Sequence, residues 1–410
     1  MRAIRCRLTL AVIGASLTWL ATACSGTGDR SAADNEGTSQ VEAPQATPPP
    51  EQFTGSVDDF YRIPEPLPEG QPGQLIRVQP VESTAGSTTV RVMYHSRDAQ
   101  DRDRAVTGII TYPSGPAPEE GWPVVSWSHG TTGLASPCAP SRAGDPAPAF
   151  GVAGVAVATD YVGLGPVGEI HPYLSKPSEG NAAIDGVRAA GNLAEADAGT
   201  RWLSIGHSQG GHGAMAAAEL SGHYGPELDL LGTVAFAPGS DFDKTFGGID
   251  DIVARVVGAM ALYGAAGEHP DIDPADYAGP ELAAVADVIE NECLDAIIGA
   301  VAGLPADTFY RQDPLHTEPT RSLMLANEVG DVRVEAPLLL VSGTADDRVV
   351  IDRVRSLYSR LCDAGQVTEL VVVDGANHGD VIPRTTDQVE GWLADRLDQR
   401  PATDTCATSG

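Results

Sequence analysis

Short apolar runs separated by turn residues mark the first half of the chain: Leu75 to Val81, Thr89 to Tyr94, Ala105 to Tyr112, Val124 to Trp127 and Val155 to Thr159. Each has the length of a strand. Further on, strand-like and helix-like patterns alternate. Helical spacing at Ala183, Ile184, Val187 and Ala190 precedes an apolar run from Trp202 to Ile205, and an Ala-rich helical stretch then leads to Gly232 to Ala237. Leu338 to Val341 is followed by helix-spaced Ile351, Val354, Tyr358 and Leu361. Glu369 to Val373 is followed by Val389, Trp392, Leu393 and Leu397. Strands alternating with helices predict an α/β fold, with a mostly parallel central sheet covered by helices on both faces.

Residues 242–330 interrupt that alternation. Apolar spacing at Ile252, Val256, Met260 and Tyr263, and again at Leu282, Val285 and Ile289, predicts amphipathic helices. The segment is expected to be a helical cap over the carboxyl end of the sheet, the alternative being extra helices packed against the core. The core itself is expected to comprise 56–241 and 331–408.

The amino terminus has a different pattern. Arg2, Arg5 and Arg7 precede an apolar run from Leu8 to Leu20, and small residues follow. The run is too short for a membrane span, so residues 1–23 predict a cleaved export signal. Ala21-Thr22-Ala23-Cys24 resembles a bacterial lipobox, which predicts cleavage before Cys24, a lipid on its sulfur and a membrane-anchored protein; the alternative is a freely secreted one. Residues 24–55 are polar and Pro-rich, including Thr47-Pro48-Pro49-Pro50, and have too few apolar groups to offset the entropy of ordering. A disordered tether is expected there.

Composition narrows the partners. The formal charge is -30 over 410 residues, which argues against nucleic acid, whose proteins gain affinity by neutralising phosphates with Lys and Arg. Docking on anionic lipid by charge alone is disfavoured too. With the signal removed and Cys24 lipidated, Cys138, Cys293, Cys362 and Cys406 remain. Four cysteines in an exported chain predict two disulfides, with three pairings open. Neither CxxC nor HExxH spacing occurs, so no zinc site is expected.

The candidate chemistry centres on Gly206-His207-Ser208-Gln209-Gly210. The motif joins an apolar strand to a helix, the context in which a sharp turn exposes a serine hydroxyl and glycines let the backbone crowd together. Asp346, in Gly343-Thr344-Ala345-Asp346, follows one strand, and His378, in Gly375-Ala376-Asn377-His378-Gly379, follows the last. That order of serine, acid and histidine predicts a catalytic triad. Asp347 is the main alternative acid, with Asp241 and Asp243 more remote. The oxyanion that forms on a substrate carbonyl needs preset donors. Gln209 is one candidate; Thr131 or Thr132, in His129-Gly130-Thr131-Thr132-Gly133 after the Val124 strand, is the second. His129, His207 and His212 are expected to have structural roles. Asp160 to Gly165, followed by His171-Pro172-Tyr173, lacks the GxGxxG and GK[ST] patterns and is expected to be a loop bordering the pocket.

Taken together, His129 to Gly133, Cys138-Ala139-Pro140-Ser141, Asp160 to Gly165, Gly206 to Gly210 and Asp346-Asp347 resemble the secretory lipase family of α/β-hydrolases, related to fungal lipase A. The resemblance covers roughly residues 60–408. It implies an α/β-hydrolase fold with a cap over an acyl-binding tunnel, and hydrolysis of acylglycerols and other carboxylic esters without a cofactor. It also implies that Cys138 pairs with Cys293 and Cys362 with Cys406. Two features depart from the family: the chain after Leu397 is short, so a long terminal flap is missing, and the lipobox predicts a tethered protein. A lipase or esterase working through an acyl-enzyme is therefore expected. A peptidase or acyltransferase of the same fold, or a non-catalytic surface binding protein, are the alternatives. For the anchor, Cys24→Ala should move the protein from the membrane fraction to the soluble one when expressing cells are fractionated, and a variant that stays membrane-bound refutes lipidation.

Overall fold

The computed structural model describes residues 49–406, apart from 82, 84 and 243–250. The expected signal, Cys24 and the tether as far as residue 48 lie outside the described residues. The end of the tether is ordered. Glu51–Gln52 forms strand β1, which pairs in parallel with β2 (Leu75–Pro80). Phe53 explains why: its N–H donates to the Val78 carbonyl at 2.8 Å, and its ring meets Phe60 edge-on at 5.5 Å. An aromatic anchor and a sheet edge with unpaired backbone groups thus hold residues whose composition alone reads as loose.

A short helix α1 (Val57–Phe60) follows β1, and β3 (Ser87–Arg97) and β4 (Asp103–Pro113) then form a long antiparallel hairpin. Its strands run beyond their apolar centres because polar groups at the far end are satisfied: His95 bonds Asp103 and Ser96 bonds Asp185. β5 (Trp122–Ser128), β6 (Val155–Val162), α2 (Lys176–Asn192), β7 (Ala198–His207), α3 (Gln209–Tyr224) and β8 (Asp229–Phe236) come next. Six helices occupy the insertion among the described residues: α4 (Ile252–Glu268), α5 (Pro274–Tyr277), α6 (Pro280–Ala284), α7 (Ala286–Asn291), α8 (Leu294–Val301) and α9 (Thr320–Ala326). The chain returns through β9 (Leu338–Gly343), α10 (Ile351–Asp363), β10 (Thr368–Val373) and α11 (Val381–Leu397).

The strands form one sheet in the order β1-β2-β3-β4-β6-β5-β7-β8-β9-β10. β5 through β10 are mutually parallel, and β3 is antiparallel to both its neighbours. The chain leaves β5 towards β6 on one side and later returns to place β7 on the other. That reversal opens a crevice at the carboxyl ends of β5 and β7, where α/β sheets bind ligands. Ser128 pairs with Gly206 in register, so the segment after β5 and the turn after β7 leave the sheet side by side.

Alternation along β7 sorts the two faces. Trp202 packs with α2 residues such as Ile184 and Val187, whereas Leu203 and Ile205 pack with α11 residues such as Val389 and Leu393. The insertion has an apolar core of its own. Val256, Met260, Leu282, Ile289 and Ile297 cluster there with Leu134, Tyr173 and Leu174 from the loops above the sheet. The periodicity at 252–263 thus corresponds to a helix that packs onto loops as well as onto its neighbours.

Candidate active site

β7 delivers Ser208 to the crevice in a conformation that L-residues seldom adopt, with φ 59° and ψ -119°. Such backbone costs on the order of 1–3 kcal/mol and persists where its surroundings over-determine it. Here the constraints are hydrogen bonds and close backbone contact. Ser208 N–H donates to the Phe236 carbonyl at 2.9 Å, and the Ser208 carbonyl accepts from His212 and Gly239 N–H, each at 3.1 Å. A Cβ on Gly206 would lie 1.9 Å from the Gly210 carbonyl oxygen, and one on Gly210 would lie 1.9 Å from that of Ser128. Only glycine fits at either place. Gln209 then opens α3, whose first-turn N–H groups have no intrahelical acceptor and carry the positive end of the helix dipole.

Asp346 and His378 come from the loops after β9 and β10. Asp346 Oδ2 sits 2.8 Å from His378 Nδ1, and Asp346 Oδ1 accepts from Arg348 and Val349 N–H, both at 2.9 Å. Burial works to raise the Asp346 pKa, but the bond and charge of His378 and those two amides outweigh it and hold the carboxyl below its usual value. Neither Asp347 nor Asp241 is the carboxylate bonded to His378. Asp347 lines the same cavity but is exposed beside Arg348, Asp241 is bonded to Arg360, and Asp243 lies outside the described residues.

The three histidines near the elbow differ in environment. His207 Nε2 is 2.9 Å from the His378 carbonyl oxygen, and the rings lie 4.5 Å apart. Burial, together with the charge of His378, lowers the His207 pKa to about 4, so it is a neutral donor that fixes the His378 loop. His212 is fully buried between the Glu179 carboxylate and the Asn327 carbonyl, each at 2.8 Å. Burial disfavours its charged form, but Glu179 prevails and raises its pKa. His129 is buried under Tyr161 with its Nδ1 at the Gly130 carbonyl, and burial lowers its pKa.

Behind the elbow lies a polar knot with no local signal in the sequence. Glu179, in the first turn of α2, accepts from the Gln209 side-chain amide, from Leu174 N–H and from His212. One buried carboxylate therefore ties the start of α3, the Tyr173–Leu174 segment and, through His212, the end of α9. Asp160 to Gly165 do not border the pocket as expected. Asp160 to Val162 continue β6, and the Asp160 carboxylate is committed to Thr107 Oγ1 at 2.6 Å and Ser141 N–H at 2.9 Å. Tyr173, at the far end of the same segment, does line the pocket.

Ser208, Gln209, His378, Gly130 and Thr131 form the polar end of a cavity of about 530 Å³. Leu174, Ile252, Val256, Val257, Leu294 and Ile298 also line it, so α4 and α8 of the insertion supply an apolar wall, and Asp251, Asp347 and Arg348 lie at its lining too. Thr132 faces another way: its carbonyl accepts from Leu294 N–H at 2.9 Å. The loop is covalently held there too, since Cys138 is bonded to Cys293, the residue before α8. Cys362 is bonded to Cys406, which closes the carboxyl-terminal segment onto α10.

A mostly parallel sheet carrying a strained strand–serine–helix turn, with an acid–histidine pair at the neighbouring strand ends, defines an α/β-hydrolase. The pattern of the secretory lipase family matches residues 123–405, and the chain belongs to that family. A Mycobacterium tuberculosis protein named "Probable inactive lipase" is 24% identical over 379 residues, covering 85% of this chain and 84% of its own. Candida antarctica lipase A superposes with a TM-score of 0.72 at 17% identity, over 85% of this chain and 87% of that one. The rice cell wall degrading esterase LipA from Xanthomonas oryzae gives 0.67 at 19% identity, over 81% of this chain and all of that one.

The contact at Gly210 is testable by stability. Because the clash is with backbone, Gly210→Ala should cost about 1–3 kcal/mol or more through overpacking, read as a lower urea midpoint with an unchanged slope. A midpoint equal to that of the wild type would show that the elbow does not need this contact.

Proposed function

We propose that this protein hydrolyses carboxylic esters through a Ser208 acyl-enzyme. The observation that carries the proposal is a strained, cavity-lining Ser208 sharing one pocket with His378, whose Nδ1 is fixed on a buried carboxylate. Ser208 Oγ bonds to the carbonyl carbon while its proton passes to His378 Nε2, and the carbonyl electrons move onto oxygen. Collapse expels the alcohol oxygen, which takes the proton from His378. Water then repeats the sequence, releasing the acid and restoring Ser208. Asp346 holds the tautomer in which Nε2 is the base, and stabilises the imidazolium. Gln209 N–H and Thr131 N–H are assigned to the oxyanion; Thr131 is preferred over Thr132 because it lines the cavity and Thr132 does not.

The acyl group is assigned to the apolar wall made by α4 and α8, with 242–330 acting as the cap that sets which chains enter. An apolar or neutral acyl ester fits that wall, and the chain's charge of -30 favours neutral over anionic substrates. We assign the protein to the cell surface, exported by residues 1–23 and held by a lipid on Cys24. The secretory family supports export, and no helix among the described residues is long and apolar enough to cross a membrane. Since a relative carries "inactive" in its name, the proposed activity rests on this chain's own residues.

Ser208→Ala should abolish hydrolysis of p-nitrophenyl acetate and butyrate while leaving the circular dichroism and melting temperature unchanged; retained turnover removes Ser208 from its role. In the same assay Asp346→Asn should lower kcat by about 10⁴, as expected where the acid sets the histidine tautomer. Asp347→Asn should leave kcat unchanged, and the reverse ranking would transfer the role to Asp347.

A further inference from the structure

The pocket wall beside Ser208 holds a pair of hydroxyls. Thr131 Oγ1 and Tyr173 Oη are 2.7 Å apart, and both residues line the cavity with Ser208 and Gln209. Two hydroxyls carry two protons, and the bond between them uses one. Among the described residues neither oxygen has a second hydrogen-bond partner. One O–H is therefore left to donate, in a wall that faces the reacting carbon.

Chemistry decides which proton that is. A phenol is the stronger acid and hence the better donor, and an aliphatic hydroxyl is the better acceptor. Burial raises the Tyr173 pKa further, so its proton stays on at any working pH. The Tyr173 O–H thus donates to Thr131 Oγ1, leaving the Thr131 proton for the cavity. Position agrees with this direction. Thr131 follows Gly130, where a Cβ would lie 3.7 Å from Ser208 Cβ, so the threonine is adjacent in chain to the residue that abuts the elbow.

Tyr173 is built in. Its ring is 5% exposed and sits edge-on to His171. Its N–H donates to the His171 carbonyl at 2.8 Å, and the next amide, Leu174 N–H, is held by Glu179 at 3.0 Å. A Cβ on Gly264 of α4 would come within 2.6 Å of Tyr173 N, so the insertion helix presses on this segment.

We propose that Thr131 Oγ1–H is a third, side-chain donor to the oxyanion, aligned and polarised by the Tyr173 phenol. The proposal rests on the Ser208 hydrolase assignment. Thr131 is then a catalytic residue and Tyr173 a positioning residue. A hydroxyl already accepting a hydrogen bond donates more strongly, and a donor oriented before reaction needs no reorganisation when charge develops.

The test is steady-state kinetics on p-nitrophenyl butyrate with the full chain, alongside inhibition by an alkyl boronic acid, whose adduct with serine places an oxygen where the oxyanion forms. Thr131→Val should lower kcat by about 10²–10³, the usual loss for one oxyanion donor. KM should be unchanged and boronate affinity should fall in parallel with kcat, because the contact is made only to the charged oxygen. Thr131→Ser should recover most of kcat. Tyr173→Phe should lower kcat by about tenfold and add nothing to Thr131→Val, since it acts through the hydroxyl that variant removes. Thr131→Val with kcat close to the wild type overturns the proposal, as does a Tyr173→Phe effect that persists in full on the valine background. If Thr131→Val does not fold, unimpaired turnover and boronate affinity in Tyr173→Phe overturn it, and the predicted loss in both supports it. An active Ser208→Ala sinks the hydrolase assignment itself, and this proposal with it. An inactive Ser208→Ala beside a fully active Thr131→Val sinks the third donor alone.

Discussion

The site depends on a backbone-to-backbone contact. The carboxyl end of β5, the turn after β7 and the first turn of α3 meet so closely that no Cβ fits at Gly206 or Gly210. Register brings Ser128 opposite Gly206, and the Ser208 carbonyl is bonded by both α3 and the segment after β8. Side chains could tolerate small shifts by changing rotamer, but backbone atoms at this distance cannot. Ser208 is therefore held at positive φ by the sheet as a whole, and the loop that carries Thr131 is placed by the same contact.

Beside that contact the structure satisfies one buried carboxylate, Glu179, instead of excluding it. Glu179 accepts from three groups in two segments, Leu174 just before α2 and Gln209 and His212 in α3, and His212 carries the connection to the end of α9. A buried carboxylate without such partners would be costly, so the set is either complete or destabilising. That requirement couples the helix start, the Tyr173 segment and the end of α9. The Cys138–Cys293 bond joins the Thr131 loop to α8 in the same region, adding a covalent link to the hydrogen-bonded one.

The insertion is where one scaffold acquires a particular pocket. Its helices share an apolar cluster with Leu134, Tyr173 and Leu174, so the apolar wall of the cavity and the fit of the insertion on the core are one packing problem. A change on α4 that alters this cluster also presses on Tyr173 through Gly264. The shape of the apolar wall and the alignment of the hydroxyl pair are coupled for that reason.

Much of this was legible in the chain itself. Alternating periods specified the α/β class, because strands and helices that bury one face must place apolar residues at fixed intervals. The GxSxG turn was readable because its glycines answer a local steric demand, and Asp346 and His378 because each follows an apolar strand whose end must lie at the same edge. Asp346 was read ahead of Asp347, but the choice between Thr131 and Thr132 was not legible, since neighbours in sequence differ only in which way the folded loop turns them. Glu179 gave no local signal, and Asp160 read as part of a pocket loop, because partners such as Gln209 and Thr107 lie thirty or more residues away. Residues 51–53 read as tether, because Phe53 has no apolar neighbour in sequence and finds one only at Phe60. The sequence by itself determined which local conformations were possible, through sterics and periodicity over a few residues; the tertiary structure alone decided which distant groups meet, because those contacts exist only once the sheet has set its strand order.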